Sequence, residues 1–247
     1  AALYKKNILA IRGSFRPVTK VNIDMIMNGY NMFIKENRVD RQKLQVLFEI
    51  TLNNLQADTG DVDEKDFIDR ADILCSLGQT VLISNYQEYY KLVEYFSRYT
   101  KARMGLIMGV NNLIEVFEEK YYRHLNGGML EAFGILFTRD LKVYVYPSKP
   151  SQEAEIMTLE SMPVHPRLRP LYDYLISNKR MVDIESYDPT VLHIFSKAVL
   201  QMIRDAKAGW EDMVPPYVDN MIKDNRLFGY VPPKLEAPSG KTQKAKA

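Results

Sequence analysis

The sequence lacks the features that mark several large classes of protein. It has one cysteine, Cys75, in 247 residues, so no disulfide can form within the chain. This excludes a disulfide-stapled domain and predicts a cytoplasmic or similarly reducing location. Cys75 lies in an apolar stretch, where we expect a small buried side chain. The three histidines, His124, His165 and His193, lack metal-ligand spacing, and we expect no metal site.

Charge of one sign and long apolar runs are also missing. The 33 Lys and Arg nearly balance the 31 Asp and Glu, so the net charge is +2. That total predicts no nucleic-acid partner and no general attraction to a membrane surface. No run reaches the ~18 apolar residues of a membrane span, and no signal-peptide pattern opens the chain. Since it begins without Met, close to an apolar run, we expect either a processed form or the C-terminal part of a longer protein.

What is present is an alternation of short apolar runs with stretches of helical spacing. The runs are mostly continuous, which is typical of strands buried on both faces. They predict strands at Asn7–Ile11, Leu44–Ile50, Thr80–Ser84, Arg103–Val110 and Leu141–Tyr146. The intervening stretches predict helices at Val21–Lys35, Glu64–Leu77, Glu88–Tyr99, Asn111–Tyr122 and Gly128–Phe137. The pattern therefore predicts a doubly wound, Rossmann-like α/β fold with a mostly parallel sheet.

The second part of the chain has a different composition. A proline-rich connection follows the fifth predicted strand, and the spacing after it predicts mainly helix. We expect helices at Leu168–Asn178, Pro189–Lys207 and Tyr217–Asp224, with a possible strand at Met181–Ile184. This gives a nucleotide-binding domain at 1–147, a C-terminal helical extension at 148–231 and a disordered tail at 232–247.

The bend after the first strand carries the strongest functional signal. The strand ends at Arg12, and Gly13 and Ser14 separate it from the next helix. In open α/β sheets, ligands bind beyond the carboxyl ends of the strands, where small residues let main-chain amides approach a phosphate. Arg16 and Lys20 add positive charge. The bend predicts a site for an anionic ligand such as a nucleotide; the alternative is a tight turn without a ligand.

Residues 13–24 resemble the signature loop of the nucleotidylyltransferase superfamily, which reads Gly-Ser/Thr-Phe-Asp-Pro-x-Thr/His-x-Gly-His. The resemblance implies that Gly13, Ser14 and Phe15 approach the phosphates, with Thr19 at the first Thr/His position. It implies adenylyl transfer from ATP, with Mg²⁺, to a mononucleotide or another phosphorylated acceptor.

A broader resemblance extends to about Tyr230. It rests on Val81–Tyr86, Arg103–Leu113, Glu118–Tyr122, Gly127-Gly128 and Val143–Pro147, which are similar to a group of bacterial nicotinate-nucleotide adenylyltransferase-like proteins.

The loop departs from the family pattern at three positions. Val21 stands in place of Gly, Asn22 in place of the second His, and Arg16 in place of Asp. Asn22 can donate a hydrogen bond but cannot carry the positive charge that stabilises a transferring phosphate. The family's Ser/Thr-x-x-Arg helix start has no match near Ser148–Met157. Two hypotheses follow. One is an active enzyme in which Lys20 and Arg16 stabilise charge and Asn22 donates a hydrogen bond as a third catalytic residue. The other is a catalytically degenerate subunit with a regulatory or assembly role, as a homo-oligomer or with a protein partner.

Three further residues at predicted strand ends are expected to line the same crevice: Ser84, Gly109 and Asn111. The alternative is that Asn111 or Asn112 serves as a helix N-cap. Ser84 also suits a phosphatase of the haloacid-dehalogenase type, but such an enzyme needs an Asp-x-Asp pair after the first strand, where this chain has Arg12-Gly13-Ser14.

Overall fold

The structure is a computed structural model that describes residues 2–51, 64–151 and 153–232. The tail predicted for 232–247 lies outside the described residues from position 233 onward.

The strands of the described residues form one six-stranded sheet in which every pairing is parallel. Their order is β3-β2-β1-β4-β5-β6, which puts the first strand in the middle. This confirms the predicted doubly wound fold. The strands are β1 (Asn7–Arg12), β2 (Leu44–Thr51), β3 (Val81–Ser84), β4 (Met104–Gly109), β5 (Lys142–Tyr146) and β6 (Met181–Asp183).

Helices cover both faces of the sheet, since parallel strands need crossovers between them. The helices of the described residues are α1 (Lys20–Phe33), α2 (Glu64–Ser76), α3 (Tyr89–Ser97), α4 (Val110–Val116), α5 (Gly128–Leu136), α6 (Arg169–Ser177), α7 (Ser196–Arg204) and α8 (Val218–Asp224). The core on one face joins the sheet to α1, α2, α7 and α8. The core on the other face joins it to α3, α4, α5 and α6. None of the described helices has the length and apolar character needed to cross a membrane.

Two predicted helices are shorter than expected. The one at Asn111–Tyr122 ends at Val116 and continues as a 3-10 turn at Glu119–Tyr122. The one at Pro189–Lys207 divides into a 3-10 turn, Pro189–Val191, and α7. Between these two pieces Leu192 and Ile194 are both buried. In one continuous helix Ile194 would lie on the face opposite Val199, Leu200 and Ile203, the buried residues of α7, and could not be buried with them.

The expectation for Cys75 was wrong, because its side chain is exposed. Its neighbours Ile73 and Leu74 are the buried apolar residues of α2. The next position lies about 100° further around the helix, which turns it away from the sheet.

Candidate functional site

The bend after β1 lies at the point where the strand order reverses. β1 pairs with β2 on one side and with β4 on the other. The crossover that follows β1 packs on one face of the sheet, and the crossover that follows β4 packs on the other. This opens a crevice beyond the carboxyl ends of β1 and β4. Gly13 and Ser14 follow β1 at this point, and Gly109 ends β4. The predicted bend therefore lies where doubly wound folds bind ligands.

Two main-chain amide groups of the bend have no acceptor in the part of the chain that the structure describes. The Gly13 N–H donates to the carbonyl of Glu49 at 3.2 Å, which extends the β1–β2 ladder by one residue. Among the described residues, no acceptor bonds the N–H of Ser14 or of Phe15. Phe15 has a φ of 46°, a left-handed conformation that is uncommon for a bulky residue. Such a conformation costs about 1–3 kcal/mol and is concentrated at functional sites.

The Phe15 side chain fills the space beneath the bend. Its ring is buried and lies 5.2 Å from the ring of Phe48, between centroids. A Cβ atom added at Gly13 would come within 2.9 Å of the same ring. The bend can hold its shape around the buried ring only because position 13 has no side chain.

The first turn of α1 is closed by a reciprocal cap. Thr19 is buried, and both its N–H and its hydroxyl donate to Oδ1 of Asn22, at 2.9 and 3.1 Å. This pair is a capping box, in which the third helical residue bonds back to the cap. Lys20 begins the helix and is exposed. Lys20, which the sequence predicted to stabilise charge, therefore has its ammonium group in solvent beside the bend.

Arg16 points into the protein. Its guanidinium is buried, and its Nε bonds Oδ1 of Asp66 at 2.8 Å. Asp66 also bonds the buried Arg70, which in turn donates to the carbonyl of Ser14 at 3.2 Å. This network fixes the bend from below by connecting it to α2.

A second buried ion pair joins the ends of the first three strands. The Arg12 guanidinium bonds both carboxylate oxygens of Glu49, with Nη2 3.2 Å from Oε1, and the Ser84 hydroxyl donates to the same carboxylate. Glu49 is fully buried. Arg12 stacks on Tyr89, 4.4 Å from its ring centroid, and burial raises the pKa of Tyr89 to about 12. Ser84, predicted to line the crevice, is thus two strands from β1 and bonded to Glu49.

Gly109 and Asn111 lie across the crevice from the bend. Gly109 is the N-cap of α4, in an extended conformation. Asn111 is exposed, and its Nδ2 donates to the Ser148 hydroxyl at 3.0 Å. The side chain of Asn111 therefore connects the end of β4 to the segment after β5.

Asp24 ties α1 to the far half of the sheet. Its Oδ2 accepts from the Tyr146 hydroxyl at 2.6 Å and from the N–H of Asp188 at 2.9 Å. Its Oδ1 accepts from Asn28. Burial, and then the bond to the Asp24 carboxylate, raise the pKa of Tyr146. Asp24 thus joins α1, β5 and the segment before α7.

A cavity of about 390 Å³ opens among segments that follow β5 and β6. The residues around it are mostly polar: Lys149, Ser151, Pro189, Thr190, His193 and Phe195. The neighbouring Ser196 begins α7, and its hydroxyl donates to the carbonyl of Pro17 at 2.9 Å, which places this helix start against the bend segment. Within the described residues, no group of three or more His, Cys, Asp or Glu is arranged to hold a metal ion.

No family model matches the chain, and no curated protein matches it. Chains of solved structures do match. One is described as "The Crystal Structure of a Putative Nicotinate-nucleotide Adenylyltransferase from Vibrio parahaemolyticus". It has 14% sequence identity and a TM-score of 0.49, and the match covers 92% of this chain and 97% of that one. The strand order and crossovers given above stand independently of this likeness.

The structure groups the sequence-predicted residues into three sets. Gly13, Ser14, Phe15, Thr19, Lys20 and Asn22 form the bend and the start of α1. Gly109 and Asn111 lie across the crevice, while Arg16 and Ser84 are buried in ion-pair networks. No sequence pattern singles out Lys149 or Thr190 of the cavity, or Ser196. They come from a stretch without a recognisable motif, and only the parallel pairing of β5 with β6 brings them to this edge.

Proposed function

We propose that the protein binds a nucleotide at the bend after β1 and transfers an adenylyl group from ATP to a phosphorylated acceptor. One observation carries the proposal: a glycine bend at the point of strand-order reversal has two successive amides, of Ser14 and Phe15, without acceptors among the described residues. Main-chain N–H groups in this position suit the oxygens of a phosphate.

The proposed reaction is a displacement at phosphorus. A phosphate oxygen of the acceptor attacks the α-phosphorus of ATP, the bond to the β-phosphate oxygen breaks, and pyrophosphate leaves with the electron pair. The amides of the bend and the exposed ammonium of Lys20 would stabilise the negative charge on the phosphates. Mg²⁺ would arrive on the ATP phosphates, since no described cluster of three ligands is arranged to hold it.

A specific observation favours a second candidate, a nucleotide-binding subunit without transferase activity. Asn22 stands where the family has a His, and its Oδ1 caps Thr19. Arg16 is held by Asp66 below the bend. Lys20 then supplies most of the cationic stabilisation near the bend, which suits binding better than catalysis.

Titration calorimetry with ATP and Mg²⁺ tests binding, and pyrophosphate release tests transfer. We expect ATP to bind and Gly13→Val to weaken it at least about tenfold, because the new side chain displaces Phe15 and the bend above it. Gly134→Val is the matched control, because a Cβ there meets no atom within 4 Å. Thermal unfolding of both variants separates loss of the site from loss of the fold.

The outcomes distinguish the hypotheses. An absence of heat at millimolar ATP would overturn nucleotide binding, and unchanged affinity in Gly13→Val would place the site elsewhere. If ATP binds and no pyrophosphate appears with a panel of mononucleotides, the non-catalytic subunit is correct.

A further inference from the structure

The opposite edge of the sheet collects an excess of positive charge. We define the amino-edge surface as residues 4–6, 34–43, 77–80, 98–103, 138–142 and 178–180, the segments that lead into the six strands. Its acidic residues are Glu36, Asp40 and Asp140. Its basic residues number thirteen: Lys5, Lys6, Lys35, Arg38, Arg41, Lys43, Arg98, Lys101, Arg103, Arg139, Lys142, Lys179 and Arg180. The surface therefore carries ten excess positive charges in a chain whose total is +2.

Hydrogen bonds connect the five segments that carry these basic residues into one surface. Asn7 donates to the carbonyls of Arg38 and Arg103, and the Thr100 hydroxyl donates to the carbonyl of Lys6. Arg139 bonds the carbonyl of Thr100. Further bonds run from Arg103 to the carbonyl of Asn37 and from Arg180 to that of Leu141. The basic residues are therefore held together by the fold and are not scattered on independent loops.

The local carboxylates neutralise only part of this charge. Glu36 pairs with Lys142 and Arg103, Asp140 with Arg38 and Arg180, and Asp40 with Lys43. Eight basic residues of the surface have no carboxylate within 4 Å among the described residues, and all but Lys6 are exposed. The helices that lead directly into β2–β6 end at this edge, α1, α2, α3, α5 and α6, and each contributes about half a negative charge. These dipoles offset about a quarter of the ten excess charges.

We infer that the amino-edge surface binds single-stranded nucleic acid through its phosphates. Six of the thirteen basic residues are arginines, whose planar forks match phosphate oxygens. Two exposed tyrosines lie among them, Tyr4 at 59% and Tyr99 at 37% exposure. They are neighbours, since the N–H of Lys5 donates to the carbonyl of Tyr99 at 3.1 Å. Exposed aromatic rings beside cations are the usual means of stacking unpaired bases.

An anionic bilayer fits this surface less well. Interfacial binding grows with the apolar area that enters the lipid. Apart from these two tyrosines, no large apolar side chain is exposed on the amino-edge surface, all of which the structure describes. The near-neutral total predicted no nucleic-acid partner, but that total does not describe either edge of the sheet.

Fluorescence anisotropy of a labelled oligouridylate of about 16 nucleotides tests the inference. The test variant combines Arg41→Gln, Lys101→Gln and Lys179→Gln, all exposed residues of the surface. The control combines Arg123→Gln, Lys120→Gln and Lys207→Gln, which remove the same charges elsewhere. We expect the test variant to lose at least about tenfold in affinity at about 50 mM salt, and its log–log salt slope to fall by about 2, while the control binds like the unmodified chain.

Three results would overturn the inference: no binding of the oligonucleotide at low salt, equal losses in the two triple variants, or a loss in Gly13→Val, which would place the binding at the other edge. Sedimentation with phosphatidylserine vesicles tests whether the surface binds an anionic membrane instead. Capture by vesicles without oligonucleotide binding would make this a membrane-binding surface and refute the proposal. An oligothymidylate arm shows whether ribose contributes, and circular dichroism confirms that each variant is folded.

Discussion

The two edges of the sheet use charged side chains in opposite ways. Beyond the carboxyl ends of the strands, Arg12 and Arg16 are paired with Glu49 and Asp66 inside the protein, and the bend above them presents main-chain amides. At the amino ends, the carboxylates are outnumbered and most of the cations are exposed. Buried pairs hold a bend in one shape, whereas exposed cations attract a polyanion at long range. A net charge of +2 therefore describes neither edge.

The largest expected effect concerns the buried pair of the carboxyl edge. Glu49→Gln should lower the free energy of unfolding by about 3–5 kcal/mol, because it leaves the Arg12 guanidinium buried without its partner. Denaturant unfolding measures this loss. Asp173→Asn, which breaks an exposed pair with Arg169, is the control and should change stability by less than about 0.5 kcal/mol. A loss below 1 kcal/mol at Glu49, on the order of a surface pair, would mean that the carboxyl-edge pair is not insulated from solvent.

The next effect separates the ligands of the two edges. Lys20→Gln should weaken ATP binding about fivefold to tenfold and leave oligonucleotide binding unchanged, since its ammonium lies beside the bend. Lys179→Gln should do the reverse, with a smaller loss. Calorimetry and anisotropy on both variants give the four values. Parallel losses in both assays would show that a single surface serves both ligands.

The smallest effect depends on pH and belongs to the amino edge. Burial alone would raise the pKa of Glu36, but hydrogen bonds from Lys142 and Tyr144 and the charge of Arg103 lower it overall. A carboxylate with a lowered folded-state pKa adds stability above its unfolded pKa of about 4.3, and this is lost as the pH falls through the folded value. Glu36→Gln should therefore cost about 1 kcal/mol at pH 7 and almost nothing at acid pH. Unfolding curves at both pH values check this, and a constant difference would contradict it.

The sequence predicts the architecture well because continuous apolar runs separated by helical spacing admit few arrangements. The bend at Gly13 was also predictable, since a small residue after a central strand has a known structural meaning. The inward direction of the Arg16 side chain was not predictable. Its pairing with Asp66 crosses 50 positions of sequence and depends on where α2 packs. The amino-edge surface could not be predicted for a similar reason. Its charges come from five separate segments that only a parallel sheet brings together.

The hydrogen bonds that the Asp24 carboxylate accepts bear on the proposed chemistry. The Asp24 carboxylate accepts from Tyr146, Asp188 and Asn28, so both of its oxygens already have donors from the protein. Glu49 is similarly engaged by Arg12 and Ser84. The two carboxylates on the elements flanking β1 are therefore both engaged by donors from the protein. The adenylyl transfer proposed above, between phosphates that are already ionised, needs no general base.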